Sequence, residues 1–263
     1  MEHKIDHTRE RSNRVKSIEK ALNILDLLDR EHELSLGDIS EKLDMDKGTA
    51  HRLLSTLKFS GYIDQNPVTR KYANSFKLFE MGNNVADKIG VRKVASKHIE
   101  SASALAGETI NLGIIQESNV IYIDKIESHE TIKVGLNIGK KIPVYCTGLG
   151  KAMLAFMTSE QSDKILKDIF FERFTSHTTT NRQTLDRQLI QIRTDGFFID
   201  DEEYVEGLIC IAAPIFDHTG HPVAAVSVSV PKYRYAEASK CTNFIEIIKE
   251  TAAKISRDLG YKQ

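Results

Sequence analysis

Between Lys47 and Tyr72 the chain carries five basic residues, Lys47, Arg52, Lys58, Arg70 and Lys71, against one acid, Asp64. Thr49, His51 and Ser55 fall among them. Cations and small polar groups at this density can neutralise phosphates and bond to base edges, which is nucleic-acid chemistry. Further on, Asp200, Asp201, Glu202 and Glu203 are consecutive and can in principle supply an acid–base pair. No nucleophile, metal set or cofactor loop accompanies them, so an exposed acidic loop is expected, with a metabolite-binding enzyme as the alternative. The GLGK run at 148–151 fails as a phosphate loop, because Tyr145 stands where glycine is needed and Ala152 where serine or threonine is needed. It also fails as a dinucleotide fingerprint, whose third glycine would be Met153. His218 and His221 flank Gly220 in an expected hairpin turn with no cysteine nearby, and read as solvated rather than metal-binding. Neither a metal nor a cofactor is expected.

The elements that must present these groups follow from apolar spacing. Val15, Ile18, Ala21, Leu22, Leu25 and Leu28 predict an amphipathic helix from Arg14 to Arg30 with one buried stripe. Ser35 with Asp38 resembles a capping box and starts a short second helix through Leu36, Ile39 and Leu43. Asp46 caps a third helix that runs to Ser60, with Gly61 as its stop and Ala50, Leu53, Leu54 and Leu57 turned inward. Lys47, Thr49, His51, Arg52, Ser55 and Lys58 are then left on its outer face, as a helix entering the major groove requires. Tyr62–Ile63 and Arg70–Tyr72 flank a turn at Asn66–Pro67 and predict a hairpin wing. An N-terminal arm with Arg9, Arg11, Arg14 and Lys16 can add backbone contacts. On pattern alone, a protein-interaction module fits three short helices and a hairpin equally well.

The 263-residue length accommodates two domains, and a net charge of −1 means that nucleic-acid binding must be argued from local clustering. No apolar run approaches the roughly 20 residues that span a bilayer, and the polar start lacks a signal peptide, so no membrane partner and a cytoplasmic location are expected. Three widely spaced cysteines, Cys146, Cys210 and Cys241, argue against a disulfide framework and read as buried thiols. Helix 91–106 is followed by strands at 109–115, 120–126, 132–136, 197–200, 209–216 and 223–230. Helices at 150–157, 159–169, 184–194 and 236–259 complete an α+β domain with an antiparallel sheet.

The segments ALNILDLL and LSLGDISEKLDMDKGTAHRLLSTLKFSGYI resemble the DNA-binding domain of the IclR family of bacterial regulators. SFKLFEMG resembles its linker, and GETINLGI, PVYCTGLGKAMLA, DDEEYVEGLICIAAPIFD and HPVAAVSVSVP resemble successive blocks of its effector-binding domain. The chain departs from its relatives at Asp46 and Gly48, where they usually carry serine.

The resemblance implies a winged helix-turn-helix over 14–74, a dimerising linker helix over 75–90 and a GAF-like effector domain over 91–261. It further implies a homodimer or homotetramer on a double-stranded operator, probing a small effector at Gly148, Leu149, Asp200, Cys210, Ser227 and Ser229. Each position makes chemical sense. Gly148 and Leu149 open a helix whose N–H groups can hold a carboxylate, and Asp200 can accept from ligand hydroxyls. Ser227 and Ser229, two apart, share a sheet face and need partners if buried. Val134, Leu136 and Ile138 are candidate apolar walls. Among the family, the blocks look nearest to regulators of pectin and sugar-acid catabolism, which implies a repressor responding to an acid such as 2-keto-3-deoxygluconate. Aromatic acids and glyoxylate-type carboxylates are the rivals.

Overall fold

A computed structural model describes residues 15–86, 90–130, 137–235 and 238–262. They form two compact units that divide between Val85 and Ala86. The basic arm before Val15, the 132–136 strand with Val134 and Leu136, and the side chain of Cys241 lie outside the described residues.

In the first unit α1 (Lys16–Glu31), α2 (Leu36–Lys42) and α3 (Lys47–Phe59) are followed by β1 (Ile63–Gln65), β2 (Tyr72–Asn74) and α4 (Phe76–Ala86). Their boundaries follow local chemistry. Ser35 and Asp38 close a reciprocal capping box on α2, and the Asp46 carboxylate accepts from the Thr49 N–H, 2.8 Å away, at the start of α3. Gly61, at φ 77°, adopts the left-handed turn that ends α3. The core joins Ile24, Leu27 and Leu28 of α1 to Ile39, Ala50, Leu54, Ile63 and Tyr72. This corrects the stripe expected on α1. Val15, Ile18 and Leu22 are all more than half exposed, because the helix has a second apolar line that the unit's core does not cover. On α4, Phe76, Phe79 and Met81 are likewise exposed, so that helix is no simple core element.

The second unit is a six-stranded antiparallel sheet in the order β5-β4-β3-β8-β7-β6. Its strands are β3 (Thr109–Gln116), β4 (Asn119–Ile126), β5 (Lys141–Pro143), β6 (Phe198–Asp201), β7 (Leu208–Phe216) and β8 (Pro222–Pro231). Strand alternation divides its side chains cleanly. Ile110, Leu112, Ile211, Ala213, Val226, Val228 and Val230 pack against α5 (Gly90–Ala106) and the C-terminal α10 (Ala238–Asp258), which follows the short α9 (Lys232–Tyr235). The opposite face meets α6 (Gly148–Leu154) and α8 (Arg182–Asp195), with α7 (Ser159–Leu166) between them in sequence. Short β5 went unnoticed in the sequence, since three residues carry no usable period.

Helix α6 lies close to the backbone beneath it. A Cβ on Gly150 would come within 2.7 Å of Val144 Cα and overlap the adjoining carbonyl, whereas one on Gly148 would touch Ala212 and Asp200 at 3.3 and 3.5 Å. Gly150→Ala should therefore destabilise the protein by about 1–3 kcal/mol or more, read as a lower urea midpoint at unchanged slope. An unaltered midpoint would mean that the contact is readily relieved.

Candidate functional sites

The first candidate site is the outer face of α3 with the adjoining hairpin. Lys47, His51, Arg52, Ser55 and Lys58 are exposed there, and Thr49 is half-buried. Their alternation with buried Ala50 and Leu54 is the ordinary consequence of a 3.6-residue period on a helix packed along one side. Arg52 leans on Thr49, Nη2 to Oγ1 at 3.5 Å, and is otherwise free to reach outward among the described residues. Lys58 donates to Gln65 Oε1 at 3.0 Å, while Gln65 Nε2 donates to the Arg70 carbonyl, so the helix and the wing are laced together. The wing tip is shaped by Asn66, whose side-chain oxygen accepts from the Val68 and Thr69 N–H groups. Arg70 is exposed at its end and Lys71 is half-buried beside it. The Asp46 carboxylate is held below its ordinary pKa by its hydrogen bonds to Thr49, so it serves as a cap bound to its own helix.

The second candidate site is on the α6 side of the large sheet. In one cross-strand row, Thr109, Ser229, Cys210 and Asp200 stand side by side on β3, β8, β7 and β6; in the next, Asn111 pairs with Ser227 and Ser227 with Ala212. All the sheet residues named for an effector thus share one face. Gly148 and Leu149 lie above them, and a small cavity of about 20 Å³ is lined by Tyr122, Thr147, Gly148, Leu149, Asp200, Glu203, Tyr204, Val205, Leu208, Cys210 and Ser227. That volume holds about one water molecule.

Two expectations change here. Asp200 and Glu203 are buried, so the acidic run is not a solvated loop; of the four, only Asp201 is exposed. The start of α6 is also already engaged. Asp200 Oδ2 accepts from the Gly148 N–H at 3.1 Å, and Thr147 Oγ1 accepts from the Gly150 N–H at 3.1 Å. Asp200 Oδ1 accepts from the Glu203 N–H at 2.9 Å. Burial, reinforced by the nearby Glu203 charge, pushes the Asp200 carboxyl up to about 7 against the opposing effect of its backbone donors.

Behind the cavity, Lys151 is fully buried. Its Nζ pairs with Glu203 and donates to Gln188 and Thr179 at 2.8 and 3.0 Å. Desolvation holds its pKa below the ordinary lysine value, with Glu203 acting in the other direction.

The two serines behave differently. Ser229 accepts from Asn111 Nδ2 at 3.0 Å and touches the Cys210 thiol at 3.3 Å, whereas Ser227 makes no side-chain hydrogen bond among the described residues. Cys210 is half-buried rather than buried, and burial pushes its thiol pKa well up, so it is no thiolate nucleophile. Ile138 is exposed and is not part of this cavity's lining. Asn111, Tyr122, Lys151 and Glu203 were absent from the sequence's list of site residues. The parity of β3 relative to β8 would have exposed Asn111, but only once the strand pairing was known.

A larger groove of about 670 Å³ opens at the other end of α6, among Ile115, Met153, Met157, Ile165, Pro222 and Val223. Glu117, Ser118, Gln161, Lys164, Asp168 and His221 complete its lining, and none of the residues expected to bind an effector is among them. His177, Asp201 and Glu202 approach one another as a cation site would, but the Lys232 ammonium bridges Asp201 and Glu202. His218 and His221 flank a tight turn whose N–H groups converge on Asp217 Oδ1. No helix among the described residues is long and apolar enough to cross a membrane.

Residues 17–67 match the IclR helix-turn-helix domain, and residues 83–257 match the bacterial transcriptional regulator IclR C-terminal domain. The HTH-type transcriptional regulator KdgR of Escherichia coli is 34% identical over 94% of both chains. XynR of the same organism, also an HTH-type transcriptional regulator, is 36% identical over 94% of this chain and 98% of its own. Among solved structures, the Thermotoga maritima IclR superposes with a TM-score of 0.83 at 33% identity, covering 94% of this chain and 99% of that one.

Proposed function

The chain belongs to the IclR family and is a DNA-binding transcriptional regulator, and from that premise we propose that it is a homo-oligomeric repressor released by a small acidic effector. The observation that carries the DNA assignment is the exposed set Lys47, His51, Arg52, Ser55 and Lys58 on the capped helix α3, with Thr49 at its edge. Arg70 and Lys71 of the wing add phosphate contacts. Arg52 is the principal reader, since its planar fork suits guanine or phosphate and, among the described residues, only the Thr49 hydroxyl engages it. Arg52→Ala should weaken operator binding by about 1–3 kcal/mol, measured by fluorescence anisotropy on a promoter fragment at fixed salt. Unchanged affinity would remove Arg52 from the interface.

Two half-sites one helical turn apart need two recognition helices, hence two copies of the chain. The exposed apolar residues Val15, Ile18 and Leu22 on α1 and Phe76, Phe79 and Met81 on α4 supply a face for the second copy. Phe76→Glu with Phe79→Glu should shift the sedimentation coefficient towards smaller species and lower operator affinity at least about ten-fold; an oligomer unchanged in both respects would place the interface elsewhere.

The effector site in this reading is the polar face around Asp200, Cys210, Ser227 and Ser229, below Gly148 and Leu149. Its ligand is a carboxylate or sugar acid, with 2-keto-3-deoxygluconate as the leading compound. Asp200 is bonded to two backbone N–H groups and Glu203 is paired with Lys151, which supports a holding rather than a catalytic role for these carboxylates. A thermal-shift panel of sugar acids and other small carboxylates tests this: one compound should raise the melting temperature, less so in Ser227→Ala, and be recovered chemically unchanged. Turnover of the compound would favour the enzyme alternative.

A further inference from the structure

We propose that Asn111 reads a hydroxyl group of the effector, so that the cavity selects hydroxylated acids over simple carboxylic acids. The inference rests on the reading of this cavity as the effector site.

Asn111 is 2% exposed, and its amide is only half used. Nδ2 donates to Ser229 Oγ, but Oδ1 has no hydrogen-bond partner among the described residues. A buried acceptor in that condition is rare, and costly unless something supplies a donor. Its neighbours do not supply one. Thr109, two residues along the strand, accepts from the Ser128 N–H; Lys125, opposite on β4, is paired with Glu127; Ser229 is engaged with Asn111 Nδ2 and Cys210.

Asn111 does not itself line the cavity but adjoins residues that do. Asn111 is the register partner of Ser227, which lines the cavity, and it shares the sheet face of Tyr122, which lines it from β4. An ionised carboxylate or a keto oxygen has no proton to give, so neither can satisfy Asn111 Oδ1. A ligand hydroxyl can. Ser227 and Tyr122, whose hydroxyls have no partner among the described residues, remain as donors for the ligand's other oxygens. With only about 20 Å³ available, lining groups must shift to admit an acid, and the half-buried Tyr204 and Val205 are among that lining. They belong to a turn bounded by the positive-φ residues Glu202 and Gly207.

The test is a calorimetric titration of the full-length protein with two matched pairs, gluconate against hexanoate and glycolate against acetate, which differ in hydroxyl content at equal chain length. The hydroxylated member of a pair should bind at least about ten-fold more tightly, and Asn111→Leu should close that gap by weakening the hydroxy acid alone. Should Asn111→Leu not fold, Asn111→Ser carries the same comparison. Equal binding of both members by the wild-type protein, or a gap that survives in the variant, would overturn the role of Asn111. In either case, binding that Ser227→Ala weakens would leave the cavity standing as the effector site. Failure of all four acids to bind would overturn the effector reading of the cavity together with this inference.

Discussion

Lys151→Ala should cost on the order of 3–5 kcal/mol of stability, although the side chain is wholly hidden from solvent. The cost arises from what it leaves behind. Glu203 is buried, and its second oxygen accepts from the Thr179 N–H at 3.0 Å, so removing the ammonium strands a fixed negative charge beside Asp200. Gln188 and Thr179 lose a donor at the same time. The network joins α6, α8 and the segment that covers the cavity, so its loss should also loosen the site. Urea unfolding of Lys151→Ala, Glu203→Leu and the Lys151→Met/Glu203→Leu double variant separates the causes. If stranded charge is the main term, the double variant recovers most of the loss, because an apolar pair of similar volume replaces the ion pair. A loss below about 1 kcal/mol in Lys151→Ala would mean that water reaches this site.

The second large effect is a pH dependence from Asp200. Its carboxyl rises from 3.8 to about 7 on folding, so the folded state holds this proton more tightly than the unfolded chain. The resulting stability is fully present below pH 3.8, is lost as pH rises from there to about 7, and stays lost above, for a span on the order of 4 kcal/mol. Asp200→Asn should remove this slope. Its absolute effect is mixed, because both Asp200 oxygens accept backbone N–H groups and the amide presents a donor to one of them. The informative quantity is therefore the difference between wild type and variant across pH 4–8, obtained from chemical denaturation. A difference that does not vary with pH would show that Asp200 titrates normally. The same charge bears on the ligand: a carboxylate effector should bind more weakly as pH passes upward through about 7, and this trend should vanish in Asp200→Asn.

Helix ends were legible in the sequence wherever a cap is a local event. Ser35 with Asp38, Asp46 with Thr49, and Gly61 each act within three residues, and each appears where the pattern placed it. The common face of Ser227 and Ser229 was also legible, because strand parity is local. Asn111 lies more than a hundred residues from those serines and becomes their neighbour only through the β3–β8 pairing. The burial of Asp200 and Glu203 has the same origin: four consecutive acids look solvated until α6 and Lys151 are placed against them. Helix α1 failed differently. A helix with apolar residues on two sides does not declare which line faces its own core: the periodicity chose Leu25 and Leu28, which do pack, but also Val15, Ile18 and Leu22, which are exposed, and it passed over Ile24 and Leu27.

The carboxylate at the head of α6 means that the protein carries its own occupant. An acid arriving beside Gly148 does not fill an empty seat; it must compete with Asp200, which is tethered there and never diffuses away. Recognition by this route is an exchange of one carboxylate for another, and its net strength is the difference between two similar interactions. On the effector reading proposed above, such a sensor would hold its effector loosely. Its response is then set by metabolite concentrations well above those that a vacant anion pocket would register.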